Sequence, residues 1–100
     1  MKVIVNEQTL ELVFEKDLVA SNLDEQTKTI KNSLKENTDV KKVSLNFENV
    51  KELDSLGINL VIATFKEADE KKKEFSIFNT STSIKNLFHL FKLHTYFDIS

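Results

Sequence analysis

One hundred residues, 40% of them hydrophobic and 30% charged, supply one compact domain and too little apolar surface for a second core. A formal net charge of −2 argues against a phosphate-backbone binder, which normally shows a basic face and a raised pI, so no nucleic-acid partner is expected. The absence of cysteine excludes disulfides, thiolate zinc sites and cysteine nucleophiles, and the opening MKVIVNEQTL turns polar too early for a signal peptide. No apolar run approaches the ~18 residues of a membrane helix, so a cytoplasmic protein without direct membrane insertion is expected.

In chain order, Val3 and Val5, then Leu10, Leu12 and Phe14, alternate with polar neighbours on either side of the break Asn6-Glu7-Gln8. That pattern reads as two strands joined in a hairpin. From Asn22 the apolar step changes to three and four residues, through Leu23, Thr27, Ile30 and Leu34, which predicts a first helix. Asn22 is its expected N-cap and Glu25 the capping-box partner. VSLNF then puts Val43, Leu45 and Phe47 on one face and Ser44 and Asn46 on the other, a strand.

Ile58, Val61, Ile62, Phe65 and Ala68 form one stripe of a second helix running from about Ser55 to Lys72. Phe75 and Ile77 alternate in the next strand. A third helix carries Ile84, Leu87, Phe88 and Phe91, with Ser81 or Thr82 as its cap, and TYFDIS closes with one more short strand. Helices between strands imply parallel pairing, so the expected architecture is α/β, a mixed β-sheet of four to five strands with three helices packed mainly on one side, residues 1–100 forming a single domain.

The start of the second helix concentrates the chemistry. Asp54 and Ser55 are both good caps, yet the only glycine of the chain, Gly57, stands in the first helical turn, where it costs about 1 kcal/mol of helix propensity relative to alanine. Such a glycine marks close approach, either of sheet backbone or of a partner. Ser55 has two readings: a plain helix cap, the commoner role of an Asp-Ser pair at a helix start, or a hydroxyl where the helix terminus accommodates a phosphate.

The run VSLNFENVKELDSLGINLVIATFKEA resembles the STAS domain of anti-sigma factor antagonists, in which an aliphatic strand, a short spacer and an Asp-Ser-small-Gly tetrapeptide open a helix. LVASNLDEQTKTIKNSL is similar to that family's first helix and entry loop, and STSIKNLFHLFKLHTYFDI to its last segment. The resemblance implies a non-enzymatic bacterial regulator of transcription, a phosphoprotein that binds an anti-sigma factor/serine-protein kinase when Ser55 is unphosphorylated. It further implies partner switching, with a serine phosphatase of the metal-dependent class reversing the modification. Partner contacts would fall on Asp54, Leu56, Gly57, Asn59, Ser21 and Asn22, with Asn46 as structural support for the loop.

Some positions depart from the family pattern. Leu56 stands where a small residue is usual, Lys16 where glycine is common, Val19 where aspartate is common, and Lys92 where a glycine often follows the third helix. An alternative within the same fold is a non-switching STAS adaptor subunit of a bacterial lipid-transport or other membrane-associated complex.

No cofactor, catalytic residue or metal is expected. No glycine-rich phosphate loop is present, and His89 and His94, five residues apart, would lie on different faces of a helix. The eight phenylalanines, Phe88, Phe91 and Phe97 among them, read as core filling, and an exposed pair near the C-terminus would serve an oligomer interface, giving a monomer or weak dimer.

Overall fold

A computed structural model describes all residues, 1–100. Strand β1 (Lys2–Asn6) turns at Glu7, whose φ of 55° is left-handed, into antiparallel β2 (Thr9–Val13). After a 3₁₀ turn at Ala20–Asn22, helix α1 (Leu23–Glu36) leads to β3 (Lys42–Asn46), helix α2 (Ser55–Glu70) to β4 (Glu74–Phe78), and helix α3 (Thr82–Leu90) to β5 (Asp98–Ile99). The sheet order is β1-β2-β3-β4-β5, with β2 to β5 mutually parallel. The expected mixed five-stranded sheet with three helices is therefore observed.

Register places Leu10 beside Val43 and Phe75, and Leu12 beside Leu45 and Ile77. These residues form one buried cluster with Ile30 and Leu34 of α1, Ile58, Val61 and Ala68 of α2, and Ile84 and Phe88 of α3, so all three helices cover one face. Each helix bridges two adjacent parallel strands and lies over the pair it connects. β1 is reached by a hairpin and receives no helix. Val3 and Val5, which share the helix face with Leu12 and Leu10, are consequently 39% and 51% exposed and not core.

The other face of the sheet carries side-chain polar groups that satisfy one another. The Ser44 and Ser76 hydroxyls lie 3.2 Å apart, and Asn46 Nδ2 donates to Glu11 Oε2 at 3.2 Å. This network keeps Ser44 and Asn46 buried on a face with no helix above it.

Two helix starts differ in how they are capped. Ser81 accepts from the Ile84 N–H at 3.3 Å, as expected of an N-cap. Asn22 occupies the N-cap position of α1 but makes no cap bond and pairs with no capping box. Its Nδ2 instead donates to the Asp17 carbonyl at 3.2 Å, because the preceding 3₁₀ turn points it back into the entry loop. The buried face of α1 includes Gln26 and Ser33, in addition to Ile30 and Leu34.

The end of α3 also corrects the sequence reading. The helix stops at Leu90, Phe91 is 54% exposed, and Lys92 adopts a left-handed φ of 60° where glycine would be free of strain. The reversal brings His94 back onto His89, with ring centroids 4.1 Å apart and planes 16° from parallel, so the two histidines share a side instead of diverging. No cluster of three or more His, Cys, Asp or Glu residues could hold a metal ion.

Candidate functional site around Ser55

At the C-terminal end of parallel strands, loops and helix starts converge, which is the usual place for a site in open α/β sheets. Here that end gathers the 14–22 segment after β2, the 47–54 segment after β3 and the start of α2. Two aspartates stitch these segments together. Asp17 Oδ1 accepts from the backbone N–H groups of Lys51 and Glu52 at 2.7 and 3.1 Å. Asp54 Oδ2 accepts from the Ala20 N–H at 2.8 Å, while Oδ1 caps α2 by accepting from the Gly57 N–H at 2.9 Å. Leu18 completes the seam: its N–H donates to the Glu52 carbonyl and its own carbonyl accepts from the Asp54 N–H.

Asp54, not Ser55, is therefore the N-cap, and Ser55 is the first helical residue. The Ser55 side chain is exposed and its hydroxyl makes no hydrogen bond within the chain. Leu56 beside it is 51% exposed, and Asn59, one turn further on, is exposed on the same flank of α2. Ser21 is exposed and Asn22 half-buried in the 3₁₀ turn that the Asp54–Ala20 bond holds against the helix start. Asn46 lies at the end of β3 and accepts at Oδ1 from the Glu48 N–H at 2.9 Å and from Asn79 Nδ2 at 3.2 Å, fixing the first residues of the 47–54 segment.

Gly57 is buried, and the geometry supplies its reason. A Cβ built there would sit 2.0 Å from the Leu18 carbonyl oxygen and 2.9 Å from the Leu18 carbonyl carbon. The space a side chain would need is filled by the chain's own seam.

The backbone N–H of Gly57, and after it that of Ala20, holds the Asp54 carboxyl below the usual carboxylate range. A carboxylate with a depressed folded-state pKa contributes stability that is complete above the unfolded value, about 4, and is lost as the pH falls through the folded value. Replacing Asp54 by alanine is expected to destabilise the protein at neutral pH through loss of the cap, seen as a lower midpoint of urea unfolding. The difference between wild type and Asp54→Asn should narrow as the pH falls below about 4 and through the lower folded-state value, below which the wild-type carboxyl is neutral in the folded protein too.

Asp17 was not singled out in the sequence. Its ligands are backbone N–H groups 34 and 35 residues away, so no local spacing marks it. The family pattern directed attention to Val19 for the loop carboxylate, and the chain supplies one two residues earlier.

A five-stranded sheet with helices on one face and an Asp-Ser pair opening α2 defines a class. The STAS domain family model matches residues 1–100, and the chain belongs to that family. Among solved structures, a proposed anti-sigma factor antagonist of Thermotoga maritima is similar at TM-score 0.88 and 16% identity, over 98% of this chain and 83% of that one. The anti-sigma factor antagonist SpoIIAA in its unphosphorylated form is similar at TM-score 0.71 and 19% identity, over 89% of this chain and 81% of that one. Phosphorylated SpoIIAA, a cell fate determinant of Bacillus, gives TM-score 0.74 and 18% identity, over 99% and 89% of the two chains. No curated protein sequence matches the chain significantly. At these identities the structural likeness establishes a shared fold.

Proposed function

We propose that the chain is an anti-sigma factor antagonist, a binding protein whose docking surface is the Ser55 end of the fold and whose affinity is set by phosphorylation of Ser55. The observation that carries this reading is the state of Ser55: an exposed hydroxyl with no partner in the chain, directly after the capping aspartate, on a helix start braced by the Asp54 and Asp17 hydrogen bonds. A kinase reaching this hydroxyl has no internal bond to break. Leu56, Asn59, Ser21 and Asn22 surround it as the partner contacts, with Asp54 and Gly57 shaping the surface from beneath.

A phosphate on Ser55 adds about −1.5 to −2 charges at neutral pH. It would stand next to Asp54, in a region that also holds Glu48 and Glu52. A partner surface fitted to the neutral serine would then face a dense negative patch, which weakens binding by repulsion and by desolvation cost. The partner in this reading is an anti-sigma factor that is also the serine kinase, and a metal-dependent serine phosphatase restores the binding form. No catalysis is assigned to the chain. The Asp54 carboxylate is occupied by two backbone N–H groups, and the two histidines lie in the last turn of α3 and just beyond it, not at the helix starts.

The test uses the chain with an anti-sigma kinase of its own cell and ATP. Mass spectrometry is expected to find one phosphate, on Ser55, and none on Ser55→Ala. Calorimetry should show that Ser55→Ala keeps the binding of the wild type while Ser55→Asp weakens it at least about tenfold, or 1.4 kcal/mol. Absence of modification together with equal binding by all three forms would sink the switch and leave a non-switching adaptor.

A further inference from the structure

We propose that β1 is the contact edge of a symmetric dimer, in which the β1 strands of two copies pair antiparallel and join the sheets into one of ten strands. The inference goes beyond the role of Ser55 and does not depend on it.

β1 is an open edge: it pairs only with β2, so every second N–H and C=O along it points outward without a partner. The usual guards of such an edge are missing from its middle. Lys2-Val3-Ile4-Val5-Asn6 contains no proline, no bulge and no inward charge, and its three central residues are β-branched and apolar. Val3 and Val5 are among the few large hydrophobic residues that the fold leaves substantially exposed.

The occupant follows from the strand's own sequence. In antiparallel pairing, residues directly opposite share a face, so a two-fold axis through Ile4 is the arrangement that pairs all five residues of β1. Val3 then faces Val5 of the second copy twice, on the helix side, and Ile4 faces Ile4 on the other side. Lys2 is set against Asn6 and lies diagonal to the region of Glu7, so the ends are complementary in polarity and charge. A shift of one residue would set valines of the helix face against isoleucine of the opposite face, which the pleat forbids.

A second copy is also favoured over continued head-to-tail stacking. The opposite edge, β5, offers only two residues, and Thr80 and Ile77 already bond Ser100 beside it. A heterologous β1–β5 contact has too little strand to pair, whereas β1 with β1 closes after two copies. In that dimer the valines that received no helix cover are buried between the two α1 helices. The contact is small, so the association is weak and concentration-dependent.

Sedimentation velocity from the low micromolar to the millimolar range should show the mass rising from 11.5 kDa towards twice that value. Val5→Glu alone and Val3→Lys alone should each hold the protein monomeric across that range, with urea midpoints and circular dichroism unchanged because both positions are exposed in the single copy. The double variant Val3→Lys/Val5→Glu should regain the dimer, since the introduced lysine of one copy faces the introduced glutamate of the other only in this register. A wild type that stays monomeric throughout, a dimer untouched by Val5→Glu, or a double variant that fails to reassociate would each overturn the proposal.

Discussion

Gly57→Ala is expected to destabilise the protein by about 3 kcal/mol, although alanine is the better helix former. Two opposing effects decide the sign. Removing glycine from the first turn of α2 would gain about 1 kcal/mol of propensity, because the residue has no positive φ to protect. Against this, the new Cβ would stand 2.0 Å from the Leu18 oxygen. That oxygen is backbone, pinned by the Asp54 N–H, and cannot swing aside like a flexible side chain. Relief requires the Leu18–Leu53 seam to open, with overpacking of a well-filled contact costing about 1–3 kcal/mol and the lost seam bonds adding to it. Urea unfolding of the two proteins checks this, and a variant as stable as wild type would show that the seam is looser than the geometry states. The same variant should expose the Ala20 and Lys51 amides to faster hydrogen exchange, since both donate to the aspartates that the seam aligns.

Phe47→Ala should cost about 3–5 kcal/mol, a large part of the 5–15 kcal/mol that a domain typically has. Phe47 is 1% exposed and holds two edge-on aromatic contacts, with Phe14 at 5.4 Å and Phe88 at 5.8 Å between ring centroids. It joins the β2 end, the β3 end and α3 in one contact. The cavity left behind could not collapse without moving the 47–54 segment, so the measured loss should lie at the upper end of the range, and calorimetric Tm should fall with it. Phe75→Ala, in the second aromatic group with Phe65 and Phe97, should cost a similar amount but leave the Ser55 region unchanged, because that group lies away from the helix starts.

How far the sequence alone reached can be followed residue by residue. Period two in Val43, Leu45 and Phe47, and period three to four in Ile58, Val61 and Ala68, report burial directly, so strands and helices were legible where one face met the core. The same alternation in Val3 and Val5 marks a strand but not its burial, because exposure at β1 follows from which strands the helices bridge, a property of topology and not of local pattern. The periodicity rule also passed over Gln26 and Ser33, polar residues buried by packing around them. The histidine pair was unreadable for a related reason. Its geometry depends on one left-handed residue, Lys92, that carries no glycine to announce the turn. At the site, the Asp-Ser-Leu-Gly tetrapeptide was visible, and its two alternatives for the glycine separate once Leu18 is placed against it. Asp17 stayed hidden, because a side chain that reaches distant backbone leaves no spacing to recognise.

The paired carboxylates of Asp17 and Asp54 have one more consequence. Each ties a loop to backbone on a neighbouring segment, so the ground next to Ser55 is already ordered before anything arrives. A visitor to this surface has little conformational entropy to extinguish in the loops it touches, since that cost was met when the chain folded. In the proposed reading, recognition on such ground is governed by fit and charge, and an added phosphate would be read as further negative charge on a fixed relief.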